Sequence, residues 1–107
     1  MEDINRIELQ DQVGHDARIV KVGETTVARF SLATTEIYKD RDGLTRAETT
    51  WHSVTAWQGK NMPDFKSITK GCTAQVVGRL RQRRYTAIDG EEKIFYEVLA
   101  GSIDIVE

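Results

Sequence analysis

With 107 residues, 39% hydrophobic and 30% charged content and a formal net charge of −2, the chain has room for one domain with one modest core, spanning residues 1–107. It has no run near the ~18 apolar residues of a membrane span, and Met1-Glu2-Asp3 lacks the basic, apolar start of a signal peptide. One cysteine and two histidines furnish neither an internal disulfide nor a structural zinc site, so the expectation is a cytoplasmic protein without metal or cofactor, Cys72 being a small core residue.

Along the chain, Asn5 to Gln12 alternates through Ile7 and Leu9 towards Val13, and Ala17 to Val22 continues the same strand after a break at Gly14-His15-Asp16. Gly23-Glu24 turns the chain into Val27–Thr34, whose apolar face is Ala28, Phe30 and Leu32 and whose polar face carries Arg29 and Ser31. Residues 39–47 are polar around Asp42-Gly43 and read as a mobile hairpin loop.

The next stretch, Thr49 to Trp57, organises the rest. Alternation puts Trp51, Ser53, Thr55 and Trp57 on one face and His52, Val54 and Ala56 on the other. Both tryptophans therefore side with the polar residues, as rings displayed to stack unpaired bases would, or as a second apolar layer covered by a loop or a subunit would.

After Gly59 the period changes. Pro63 and Asp64 suit a first helical turn, Phe65 and Ile68 lie three apart and Gly71 suits a stop, so a short helix is predicted within Met62–Gly71. Cys72 to Tyr85 is a strand with Cys72, Ala74, Val76, Gly78 and Leu80 on one face and Val77, Arg79, Arg81, Arg83 and Tyr85 on the other. Asp89-Gly90 marks a hairpin, and Lys93 to Val106 is a last strand with Ile94, Tyr96, Val98 and Ala100 on one side. Charge is segregated: residues 66–84 carry six basic side chains and no acid. A local stripe of this kind, not the net charge, is what a phosphate backbone meets.

Five strands with one short helix between the third and fourth is the order of the all-β OB-fold, a five-stranded Greek-key barrel. In that order the tryptophan strand falls third, on the surface where such barrels bind single strands.

The residues also resemble the bacterial single-stranded DNA-binding protein family over nearly the whole chain. The likeness is carried by Asn5-Arg6-Ile7 leading to Val13-Gly14-His15-Asp16, Val27 to Thr34, Thr50-Trp51-His52-Ser53-Val54, Lys70-Gly71-Cys72, Gly78 to Tyr85, and Asp89-Gly90. The resemblance implies base stacking on Tyr38, Trp51, Trp57 and Tyr85. It also implies basic contacts at Lys39, Lys60, Lys70, Arg81, Arg83 and Arg84, to which the charge pattern adds Arg29 and Arg79.

Where the family commonly has an arginine after the Trp-His pair, this chain has Ser53, and Arg29 is placed to replace it. Gln75 stands where some members carry a tyrosine that helps subunits pair, so of the homodimer and homotetramer expected, the dimer is the more cautious expectation. Members usually run on into a disordered tail, acidic and ending in Phe, that recruits replication and repair proteins. This sequence ends at Ile105-Val106-Glu107; a naturally tail-less chain is expected to coat DNA without that docking, and a truncated one would end the same way. A fainter likeness is to primosomal replication protein N.

Less specific readings remain for individual residues. Arg79 to Arg84 could be a charged sheet edge guarding against pairing, and His52 reads as a core or interface histidine. The loop carboxylates read as solvated, and no catalytic constellation is found. The function expected is sequence-tolerant binding of single-stranded DNA in replication, repair or recombination, by a non-enzyme associated with the nucleoid. The alternative is an OB-fold module that binds a protein partner with the same rings.

Overall fold

A computed structural model describes residues 2–106. The strands are β1 (Ile7–Gln12), β2 (Arg18–Val22), β3 (Thr25–Lys39), β4 (Thr45–Trp57), β5 (Thr73–Thr86) and β6 (Glu92–Val106). They form one sheet in the order β1-β5-β6-β4-β3-β2. A bridge between Val13 and Leu32 joins the end of β1 to β3, so the sheet curls back on itself as an OB-type barrel. β1 and β2 are the two halves of the broken first strand, which accounts for six strands where the sequence suggested five. β4 and β6 meet in parallel at Val54–Val98 and Thr55–Leu99, and the other pairings are antiparallel.

The inward face is the apolar half of each alternation. Ala28, Phe30 and Leu32 of β3, Val54 and Ala56 of β4, Ala74 and Val76 of β5, and Val98 of β6 are buried together. In β6 the apolar phase slips, from Val98 and Ala100 to Ile103 and Ile105. The slip coincides with a register shift at which Val77 faces Ser102 and Gly78 faces Ala100, leaving Gly101 as the extra residue of a bulge. Gly78 is needed there, because a Cβ would run into the Leu99 carbonyl.

The expected helix between the third and fourth strands shrinks to one 3-10 turn, Phe65–Ser67. Asp64 caps it by accepting from the Lys66 N–H at 3.0 Å. Phe65 and Ile68 are buried in the barrel core, and that demand ends the helix: after one turn the chain leaves in extended conformation at Ile68. Cys72 is half-buried against the same core.

The mobile loop expected over 39–47 is also replaced by order. β3 and β4 remain paired out to Lys39–Thr45, and Asp40 Oδ1 accepts from the N–H groups of Asp42 (2.9 Å) and Leu44 (3.0 Å). The β3–β4 and β5–β6 hairpins thus project beyond the barrel, and the molecule measures 54 × 41 × 37 Å with a radius of gyration of 16.1 Å. Outside the barrel the inward pleat is uncovered, which is why Leu80, Ile94 and Tyr96 are exposed. Among the described residues no helix is long and apolar enough to cross a membrane.

Candidate nucleic-acid interface

The outward pleat of β3 and β4 carries the displayed tryptophans. Trp51 is 61% and Trp57 40% exposed, whereas Val54 and Ala56 between them are buried on the other side. Trp51 lies opposite Ala33 and Trp57 opposite Val27. Six steps of strand separate the two rings, roughly 20 Å along the chain. Trp51 leans over the break in the first strand: a Cβ at Gly14 would collide with its indole and lie 3.0 Å from Ser31 Oγ. Glycine at this break lets the ring lie against backbone, and the Gly14 N–H donates to the Ser31 carbonyl at 2.8 Å.

Between the tryptophans a groove of about 370 Å³ opens, lined by His15, Arg18, Arg29, Ser53, Arg83 and Phe95 among others, with Thr55 and Glu97 in its wall. Glu97 is 4% exposed and Thr55 2%. The Thr55 hydroxyl donates to Glu97 Oε2 at 2.5 Å. Glu97 Oε1 accepts from Arg81 Nε at 3.1 Å and Nη2 at 2.7 Å, with Arg83 Nε 3.6 Å away. Burial pushes the carboxyl up, but the Thr55 and Arg81 hydrogen bonds and the charges of Arg81 and Arg83 outweigh it and hold Glu97 below its ordinary value. The Arg83 guanidinium lies 5.8 Å from the centroid of Phe95, and Phe95 meets Tyr85 edge to face at 5.7 Å. A continuous strip of ring and guanidinium faces, Tyr85, Phe95 and Arg83, therefore leads into the groove.

The residues expected to form the site are thus partly assembled. Trp51, Trp57, Arg29, Arg81, Arg83 and Tyr85 share the outward pleat around this groove. The remaining ones lie elsewhere. Tyr38 and Lys39 are exposed at the far end of the β3–β4 hairpin, and Tyr38, opposite Arg46, falls on the opposite pleat from Trp51. Arg84 is on the opposite pleat from Arg83 and lies 3.7 Å from Glu92. Arg79 borders a separate groove beside Asn5 and Arg6. Lys60 borders another with Ser102 and Asp104, and the Lys70 N–H donates to Asp16 at 2.8 Å. Sequence reasoning did not single out His15 for the groove, nor Arg18, Phe95 and Glu97. Glu97 did leave a signal, as a lone acid in the apolar run from Ile94 to Ile103. Among the described residues no group of three or more His, Cys, Asp or Glu is placed to hold a metal ion.

Comparison with known proteins bears on the family and the fold. The model of the single-strand binding protein family matches residues 4–106. The single-stranded DNA-binding protein of Xylella fastidiosa is 31% identical over 104 residues, covering 96% of this chain and 63% of that protein. The protein of the same name from Xanthomonas axonopodis is 32% identical over 105 residues (96% and 58%), and that of Rickettsia felis 35% over 99 residues (90% and 65%). The chain thus spans about three fifths of the length of these relatives. Among solved structures, a Plasmodium falciparum SSB in complex with ssDNA superposes with a TM-score of 0.83 at 24% identity, covering 100% of this chain and 98% of that one. A deletion mutant of the Thermus aquaticus single-stranded DNA binding protein gives 0.80 at 24% identity, covering 97% and 51%.

Proposed function

The chain belongs to the single-strand binding protein family, and from that premise we propose that it binds single-stranded DNA with little regard to sequence, as a binding module and not an enzyme. The observation that carries this reading is the exposure of Trp51 and Trp57 on the β4 pleat that they share with Ser53 and Thr55, while the apolar pleat behind them is closed as a core. Each base has a π-face, so stacking on these rings tolerates any sequence and contributes about 1–3 kcal/mol per base. A duplex hides those faces. Tyr85 and Phe95 extend the stacking strip, and Tyr38 supplies a further ring at the hairpin end. Arg29 in the groove supplies a phosphate contact, and Lys39, Lys60 and Lys70, exposed elsewhere on the surface, supply others. Arg79, Arg81, Arg83 and Arg84 are contacts of the same kind, the last three once released from their carboxylates.

The same reading includes a homodimer or homotetramer, supported by the open edges of β1 and β2 at the two ends of the strand order. Several copies on one strand gain affinity by avidity. It also includes a place in replication, repair or recombination at the nucleoid, beside the proteins that act there. Titration with long oligothymidine tests the core of the proposal. Quenching of tryptophan emission by the single strand and not by duplex is the expected result, and equal response to both would refute it. Light scattering tests assembly, where a stable monomer of 12.1 kDa would count against it.

A further inference from the structure

Register places Arg18 of β2 directly opposite Arg29 of β3, and both line the groove between the tryptophans. Like charges opposed across an antiparallel pair repel and destabilise the ladder. Arg81 and Arg83 on the same pleat are treated differently, since both are paired with Glu97. Neither Arg18 nor Arg29 makes an ion pair among the described residues. The one acid in the groove, Glu97, already accepts from Thr55 and Arg81. Two arginines opposed across the ladder with no carboxylate partner among the described residues, over a floor of Ser31, Ser53 and Thr55, present a concentration of positive charge suited to an anion.

Position specifies which anion. Arg29 lies opposite Thr55, two residues from Trp57 and four from Trp51. A strand with bases on both rings carries its backbone across this row. Guanidinium forks match phosphate oxygens, and two of them can share one phosphodiester. We propose that Arg18 and Arg29 together seat one phosphodiester of the bound strand between the bases stacked on Trp51 and Trp57. This inference rests on the single-strand reading above and adds to it a residue, Arg18, and a shared-phosphate geometry.

The test compares wild type with R18Q, R29Q, the double variant and R29K, by oligothymidine titration over a range of NaCl concentrations. One lost phosphate contact flattens the slope of log K against log[salt] by about 0.7, which is about fivefold weaker binding near 0.1 M salt. Each single glutamine variant should show that loss, the double variant no more than it, and R29K should keep the wild-type slope. Without DNA, the glutamine variants should melt at or above the wild-type temperature, because a repulsion has been removed. Inorganic phosphate at the same ionic strength as the NaCl reference should not compete, which separates a backbone phosphodiester from a free anion. Wild-type affinity and slope in the single variants would overturn the seat alone, as would lowered melting in both. A double variant that loses about 1.4 in slope would place the arginines on two separate phosphates and overturn the sharing. A wild-type protein without salt-dependent binding would overturn the single-strand reading together with the seat.

Discussion

Replacing Glu97 with Gln should destabilise the protein while tightening its hold on a single strand. The carboxylate is buried and accepts three hydrogen bonds, one from Thr55 and two from Arg81, with Arg83 close by. Glutamine retains an oxygen for Thr55 but removes the charge that holds both guanidinium groups. A charge-assisted hydrogen bond contributes about 1.5–3 kcal/mol. The two arginines are partly exposed and regain hydration when released, so the net loss should be about 2 kcal/mol. At roughly 4–8 °C per kcal/mol for a domain of this size, the melting temperature should fall by about 10 °C. Binding should move the other way, because Arg81 and Arg83 become free to meet phosphates: the salt slope should steepen by up to about 0.7 for each. Thermal unfolding and a salt series of oligothymidine titrations measure the two effects on one sample. The pH dependence has a defined sign. With its native value held below the ordinary one, Glu97 contributes stability in full above the range where the unfolded carboxyl titrates. That contribution is lost as pH falls through the native value, so wild type and E97Q should converge in acid. Weaker binding with unchanged stability would refute the view of Glu97 as an internal restraint on these arginines.

Trp51→Ala and Trp57→Ala should each weaken oligothymidine binding by about 1–3 kcal/mol and leave any duplex binding unchanged, as read by anisotropy of a labelled strand. Gly14→Ala should displace the Trp51 indole, since its Cβ collides with that ring; shifted tryptophan emission and weaker binding, with little change in melting, are expected. Phe65→Ala should cost about 3–5 kcal/mol in denaturant unfolding, because the ring closes the barrel core. The Asp40 carboxyl is held low by Arg46 and by the Leu44 N–H, so Asp40→Asn should speed amide exchange at Asp42 and Leu44 while the midpoint of global unfolding stays put.

Period-two alternation was enough to separate Phe30, Leu32, Val54 and Val76 from Arg29, Trp51 and Trp57, because burial on one pleat leaves no other register. The helix expected within Met62–Gly71 shrank to one turn because local signals at Pro63 and Asp64 say where a helix can begin, while the barrel end needs only Phe65 and Ile68 and decides where it stops. Polar residues 39–47 read as loop since propensity cannot see the partner strand, yet Tyr38–Arg46 and Lys39–Thr45 stay paired. The hold of Glu97 on Arg81 crosses 16 positions of sequence and depends on which pleat each strand turns inward. The Arg18–Arg29 opposition, by contrast, was countable: a tight turn at Gly23-Glu24 sets Val22 against Thr25, and four steps back along β2 and four on along β3 lead to the two arginines.

The projecting hairpins affect how the molecule moves through solvent. A compact chain of this length has a radius of gyration near 13 Å, against 16.1 Å here. Friction grows with reach and not with mass, so a single copy should leave a sizing column early and pass for a larger species. Elution volume alone would then overcount subunits. A strand that draws the hairpins towards the barrel would also produce an unusual signature, a complex heavier than the free protein that diffuses as fast or faster.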